Sequence, residues 1–222
     1  MRKVSAGFLM IWVNVIVAVA APARAEPVVI AALGDSLTQG YGLMQSDGFV
    51  PQLEQWLRAQ GGDVRLINAG VSGDTTAGGL ARVGWTLEPE VDAMIVALGG
   101  NDLLRGLSPA QARSNIEGIL QAAQAANVEV LLVGMQAPGN FGPAYKEEFD
   151  ALYPELAQAY DTVYLESFFA GLVEDGAPVD PAALRQWFQA DGIHPNPQGV
   201  TRIVSAVGPK VLTLIDAVQA GG

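Results

Sequence analysis

Three side chains in this 222-residue sequence could together attack an acyl carbon: the hydroxyl of Ser36, the imidazole of His194 and the carboxylate of Asp191. Such chemistry needs a nucleophile, a base for its proton, a carboxylate to orient the base, and donors for the tetrahedral oxyanion. His194 is the only histidine, so it is the base if there is one. Asp191 precedes it across Gly192-Ile193, a spacing that inside a turn lets the carboxylate fold back on Nδ1–H and leaves Nε2 free toward Ser36. The plainer readings remain open at this point: Asp-Gly is an ordinary turn pair, and a lone histidine is more often a surface or satisfied core residue. Candidate oxyanion donors are the Asn101 carboxamide and the backbone N–H groups of Ser36 and Gly70. Asn101 could equally be a turn asparagine, and Asp35 and Asp102 read as structural acceptors that hold neighbouring loops.

Positioning these groups requires strands. Val28 to Leu33 is an unbroken apolar run with a β-branched start, as expected of a central parallel strand covered on both faces. It stops at Gly34-Asp35-Ser36, where Gly34 allows a close turn and Ser36 opens a short helical turn whose free N–H groups would favour an oxyanion. Asp35 and Ser36 as mere helix caps is the competing reading. Two further predicted strands stop in the same way, Val64 to Gly70 after Asn68-Ala69 and the apolar run Ala93 to Leu98 before Gly99-Gly100-Asn101-Asp102. Ligand sites in open α/β sheets form beyond such strand ends, so one rim would collect the hydroxyl, the N–H groups and the carboxamide.

Between the strands, periodicity and caps predict helices over Phe49–Arg58, from Thr75 or Thr76 through Leu87, from Ser108-Pro109 to about Ala125, over Lys146–Tyr160 with a kink or restart at Pro154, and from Gln198 to about Val218. A fourth strand is predicted at Val130–Met135 and a short fifth at Val163–Leu165. The βαβαβαβαβα order implies an α/β fold, a three-layer α/β/α sandwich around a five-stranded parallel sheet.

Composition narrows the function. The chain has no cysteine and no cluster of metal-ligating types, which removes a disulfide scaffold and a structural zinc site, and no phosphate-loop or dinucleotide fingerprint follows a strand, so no cofactor is expected. Met1-Arg2-Lys3, the apolar run from Ala6 to Ala21 and Ala23-Arg24-Ala25 read as a secretory signal peptide over residues 1–25, leaving 26–222 as one domain. An uncleaved membrane anchor is the competing reading. The net charge of −11 becomes −14 without Arg2, Lys3 and Arg24, and no basic run appears, so nucleic-acid binding is disfavoured.

Gly34-Asp35-Ser36-Leu37, Gly70 within Asn68-Ala69-Gly70-Val71-Ser72-Gly73-Asp74-Thr75, Asn101 within Gly99-Gly100-Asn101-Asp102, and Asp191-Gly192-Ile193-His194-Pro195 resemble the four blocks of the GDSL or SGNH hydrolases. The likeness spans the mature chain and is nearest to the bacterial periplasmic thioesterase, lysophospholipase and arylesterase group. It implies a flavodoxin-like sheet, Ser36 as nucleophile, His194 as base with Asp191 as its partner, and Ser36, Gly70 and Asn101 as oxyanion hole. It further implies substrate-binding loops at Gly73, Asp74 and Thr75 and at Met135, Pro138, Asn140 and Phe141. The expected activity is hydrolysis of small acyl esters, thioesters or lysophospholipids through an acyl-enzyme, by a periplasmic or secreted protein that is a monomer or weak oligomer with no stable membrane insertion after cleavage. A carbohydrate O-acetyl esterase and a catalytically silent binding module are the alternatives.

Overall fold

The computed structural model describes residues 26–173 and 181–221, so the predicted signal peptide lies outside the described residues. The sheet grows from β1 (Val28–Gly34), whose Ile30, Ala31, Ala32 and Leu33 have no exposed surface. A side chain of that kind, fully buried, contributes about 1.5–3 kcal/mol relative to exposure for Leu or Ile, and both faces of β1 are used in this way. β2 (Val64–Gly70) pairs with one edge of β1 and β3 (Ala93–Ala97) with the other. β4 (Glu129–Val133) and β5 (Val163–Leu165) extend the sheet beyond β3, giving the order β2-β1-β3-β4-β5 with every pair parallel. Gly34 stands opposite both Gly70 and Ala97, so the central strands end at one level.

Helices cover both faces. α2 (Phe49–Ala59) and α8 (Pro197–Gly221) pack on each other on one side, and α3 (Thr76–Thr86), α5 (Pro109–Ala125) and α6 (Pro143–Ala159) on the other. Thr75 caps α3 by accepting from Gly78 N–H, and Ser108 caps α5 ahead of Pro109, the arrangement these residue types favour. α8 is long and apolar enough to cross a bilayer. It instead buries Val200, Ile203, Val204, Val207, Val211 and Leu214 at helical spacing against α2 and the sheet, the pattern of an amphipathic core helix.

The expected three-layer sandwich with five parallel strands is the observed one. The boundaries moved at specific points. α6 begins at Pro143 rather than Lys146, because proline is well placed where no helical N–H partner is needed. It runs without a restart through Pro154, and α8 likewise through Pro209. α4 (Gly100–Arg105) replaces the expected turn after β3: Gly99 at φ +115 reverses the chain at the strand end, and a Cβ there would lie 2.0 Å from the Tyr153 hydroxyl. A short α7 (Pro181–Leu184) precedes the C-terminal turn.

Candidate active site

Ser36 is the first residue of α1 (Ser36–Gln39), delivered there by β1. The turn is tight: a Cβ on Gly34 would stand 2.0 Å from Thr38 Oγ1, so only glycine lets α1 fold back onto the strand end. Asp35 is the N-cap, its Oδ1 accepting from Leu37 N–H at 2.9 Å. As the first helical residue, Ser36 has an N–H with no acceptor among the described residues.

The imidazole arrives from the opposite end of the chain. His194 Nε2 lies 2.9 Å from Ser36 Oγ, and Nδ1 lies 2.7 Å from Asp191 Oδ2. A carboxylate only accepts, so this network places the proton on Nδ1 and leaves Nε2 to accept from the hydroxyl. The turn builds itself locally. Asp191 Oδ1 accepts from the N–H groups of Ile193 and His194, at 2.9 and 3.0 Å. Gln189 N–H donates to His194 O at 2.8 Å, and Asn196 N–H to Trp187 O at 2.8 Å. The Gln189 side-chain amide also donates to Tyr41 O at 2.8 Å, tying the turn to the loop after α1. The Tyr41 ring covers the imidazole at 4.6 Å between centroids.

The two carboxylates nearest the reaction sit in opposite environments. Burial pushes the Asp35 carboxyl up to about 6, against the opposing effects of the Leu37 N–H and the Asn101 amide. The hydrogen bond from His194, reinforced by the Ile193 and His194 N–H groups, holds Asp191 down at about 2. Desolvation dominates the first and hydrogen bonding to the charged form the second.

Asn101 stands in the first turn of α4, its Nδ2 donating to Asp74 O at 2.9 Å and to Asp35 Oδ2 at 3.2 Å. Its neighbour Asp102, only 1 % exposed, accepts from Thr76 N–H at 2.9 Å and from the Thr76 hydroxyl at 2.7 Å. Asn115 completes this buried cluster by donating to Thr76 Oγ1 at 2.9 Å. Asp35 and Asp102 thus hold loops together, as the sequence suggests.

Ser36, Asn101 and His194 line one cavity of about 1020 Å³. Gly73, Met135, Pro138 and Asn140 line it as expected, together with Tyr41, Leu103, Leu104, Phe169, Leu184, Phe188 and Ile193. The expected Gly70 donor is corrected. Gly70 still belongs to β2, its N–H donates to Asn68 Oδ1 at 3.0 Å, and it does not border the cavity. Three residues further on, the Gly73 N–H faces no acceptor among the described residues. Three expected substrate contacts are also corrected. Thr75 is spent on capping α3, Asp74 pairs with Arg82 at 2.6 Å, and Phe141 packs over Gly106 and beside Tyr145. None of these three lines the cavity. The wall formed by Phe169, Leu184 and Phe188 was not foreseen; its sequence signal is the Phe168-Phe169 pair and the apolar residues from Leu184 to Phe188.

Comparison with known proteins decides the family. The family described as GDSL-like Lipase/Acylhydrolase matches residues 32–202. The chain belongs to this family. Esterase TesA of Pseudomonas aeruginosa is 38 % identical over 187 residues, covering 84 % of this acylhydrolase-family chain and 89 % of the relative. Thioesterase 1/protease 1/lysophospholipase L1 of Escherichia coli strain K12 is 39 % identical over 165 residues, 74 % of each chain. Among solved structures, AlinE4, an SGNH-hydrolase family esterase, superposes with a TM-score of 0.69 at 44 % identity, covering 86 % of this chain and 98 % of that one. The same sheet and helices therefore carry the family's blocks in this member.

Proposed function

We propose that this protein is a serine esterase that hydrolyses carboxylic esters, aryl and short or medium acyl, and acyl thioesters or lysophospholipids, through a covalent acyl-enzyme. The observation that carries the reading is the unbroken line of hydrogen bonds from Asp191 Oδ2 through His194 to Ser36 Oγ. Ser36 Oγ attacks the acyl carbon while His194 Nε2 takes its proton, and Asp191 stabilises the imidazolium that results. The tetrahedral oxyanion is received by the N–H groups of Ser36 and Gly73 and by Asn101 Nδ2, where it competes with Asp35 Oδ2 for the proton of the longer contact. A preorganised donor of this kind contributes roughly 3 kcal/mol in the transition state. Collapse breaks the bond to the leaving oxygen or sulfur, which takes the proton back from His194. Water, deprotonated by the same imidazole, then attacks the acyl-Ser36 ester and releases the acid.

The apolar part of the lining, Leu103, Leu104, Met135, Phe169, Leu184, Phe188 and Ile193, supports an acyl chain as the group held in the cavity, while Ser72, Gln136, Asn140, Glu166 and Ser167 also border it. The names of the relatives, an esterase and a thioesterase/lysophospholipase, support the same substrate classes. Export with cleavage after Ala25 is part of the proposal, supported by the basic start, the apolar run and the small residues at Ala23 and Ala25. The exported protein then begins at Glu26, and N-terminal sequencing that returns Met1 would reject this part. The function is tested with a panel of p-nitrophenyl esters, acyl thioesters and lysophospholipids. Turnover of at least one class by the wild type and its loss in His194→Ala is the expected outcome; no turnover of any class, or equal turnover in the variant, contradicts it.

A further inference from the structure

Arg82, on α3, lies outside the cavity, yet its guanidinium reaches both backbone segments that carry the N–H donors of Ser36 and Gly73. Nε donates to Asp74 Oδ2 at 2.6 Å, Nη1 to Ala69 O at 2.7 Å and Nη2 to Gly34 O at 2.8 Å. Gly34 O is the last carbonyl of β1, two residues before the Ser36 N–H. Ala69 O and Asp74 bracket the loop that presents the Gly73 N–H. The Asp74 carbonyl in turn accepts from Asn101 Nδ2 at 2.9 Å, which directs the carboxamide. The side chain is 18 % exposed and its ion-pair partner 19 %, so the pair is shielded from competition by water.

Resting on the assignment of Ser36 as nucleophile, we propose that Arg82 is a positioning residue of the oxyanion hole: its guanidinium ties the Ser36 and Gly73 segments together and, through Asp74, sets Asn101 against them, while Arg105 Nη2 donates to Gly73 O at 2.8 Å as a second, more exposed anchor. The physical reason for arginine is its planar fork, which holds several acceptors at fixed directions, whereas a lysine ammonium is a point charge on a flexible stem. An oxyanion hole works only when its donors are held within about half an ångström of the productive geometry, which makes the supporting residue part of the rate. Loosening one anchor lets three donors drift, and because the cavity walls are untouched, substrate binding is left largely alone.

The test is Arg82→Lys, with Arg82→Gln as the second variant, assayed on a p-nitrophenyl ester, with turnover expressed per active site titrated by a phosphonate that labels Ser36. The expected result for both variants is a kcat per titrated site lowered tenfold to a hundredfold and a KM within threefold of wild type. In an Asn101→Ala background, where one of the positioned donors is already gone, Arg82→Lys costs less than it does alone. Turnover per titrated site within twofold of wild type overturns the proposal, as does a loss that multiplies in full on top of Asn101→Ala, since independent effects combine in that way. A merely destabilised fold lowers the number of titrated sites and leaves their turnover unchanged, which also counts against it. Failure of the wild type to take the label at Ser36 would instead refute the nucleophile assignment on which the proposal stands.

Discussion

The two halves of the site are built by different means. The side that carries Ser36, Gly73 and Asn101 is made from the ends of β1, β2 and β3, and the polar groups that support it are buried: Asp35 is 2 % exposed, and Asp102, Thr76 and Asn115 form a closed hydrogen-bonded cluster between α3, α4 and α5. The base side is one surface turn, 186–196, whose hydrogen bonds are mostly internal, with the Asp191 side chain 37 % exposed. The contrast teaches that the oxyanion geometry is inseparable from the core, while the imidazole is presented by a locally self-sufficient loop. Damage to the first half should therefore reach stability as well as rate, and damage to the second should reach mainly rate.

The largest effect that bears on this contrast comes from the groups shared by both halves. Ser36→Ala and His194→Ala should each lower kcat on a p-nitrophenyl ester by about four orders of magnitude or more. Near-normal turnover in either would dissolve the comparison. Asn101→Ala is expected to lower kcat by roughly a hundredfold to a thousandfold with a smaller change in KM, measured on the same ester.

Stability separates the halves. Asp102→Ala strands the buried N–H and hydroxyl of Thr76 and should cost roughly 2–4 kcal/mol in a denaturant titration. Asp191→Ala, in the exposed turn, is expected to change stability by no more than about 1 kcal/mol while sharply lowering kcat. Equal destabilisation by the two would contradict the division.

The same contrast appears in pH dependence, with opposite signs. Asp35 has its carboxyl raised from 3.8 to about 6, so between those values the folded state holds a proton that the unfolded state has lost. Stability from this group is present at low pH and is lost as pH rises through about 6, by roughly 3 kcal/mol at most. Asp191, lowered from 3.8 to about 2, contributes stability that is present above 3.8 and lost as pH falls toward 2, an effect weakened by salt because the group is exposed. Urea titrations of wild type and Asp35→Asn from pH 4 to 7 should show the downward slope in the wild type only. The smallest expected effect is that of Phe141→Ala. Its ring packs on Gly106 and Tyr145 outside the cavity, so kcat and KM for short acyl esters should stay within about threefold of wild type.

These two construction methods also decide what could be read in the sequence. The strands were legible because a central parallel strand is covered on both faces and must be apolar throughout, as Ile30 to Leu33 and Met94 to Leu98 are. Asp191 and His194 were legible as a pair because their geometry is set within one short turn. What resisted reading depends on long-range packing. Gly99-Gly100-Asn101-Asp102 has turn composition, and α4 forms there because Gly99 adopts a left-handed conformation against Tyr153 and Asp102 is held by Thr76 of α3. That Gly73 rather than Gly70 borders the cavity depends on where β2 ends relative to β1, a matter of register. The family resemblance implies Phe141 as a substrate-binding residue, and the absence of a side chain at Gly106, 35 positions earlier, leaves room for its ring there instead.

The claim on which everything else depends is that Ser36 is the nucleophile activated by His194. It is tested most directly by treating the wild type and His194→Ala with a p-nitrophenyl alkylphosphonate and mapping the added mass by peptide mass spectrometry. The account predicts one adduct per chain, on the peptide containing Ser36, formed rapidly in the wild type and slowed by orders of magnitude in the variant. An adduct on a different residue, or equal labelling rates in the two proteins, would contradict it.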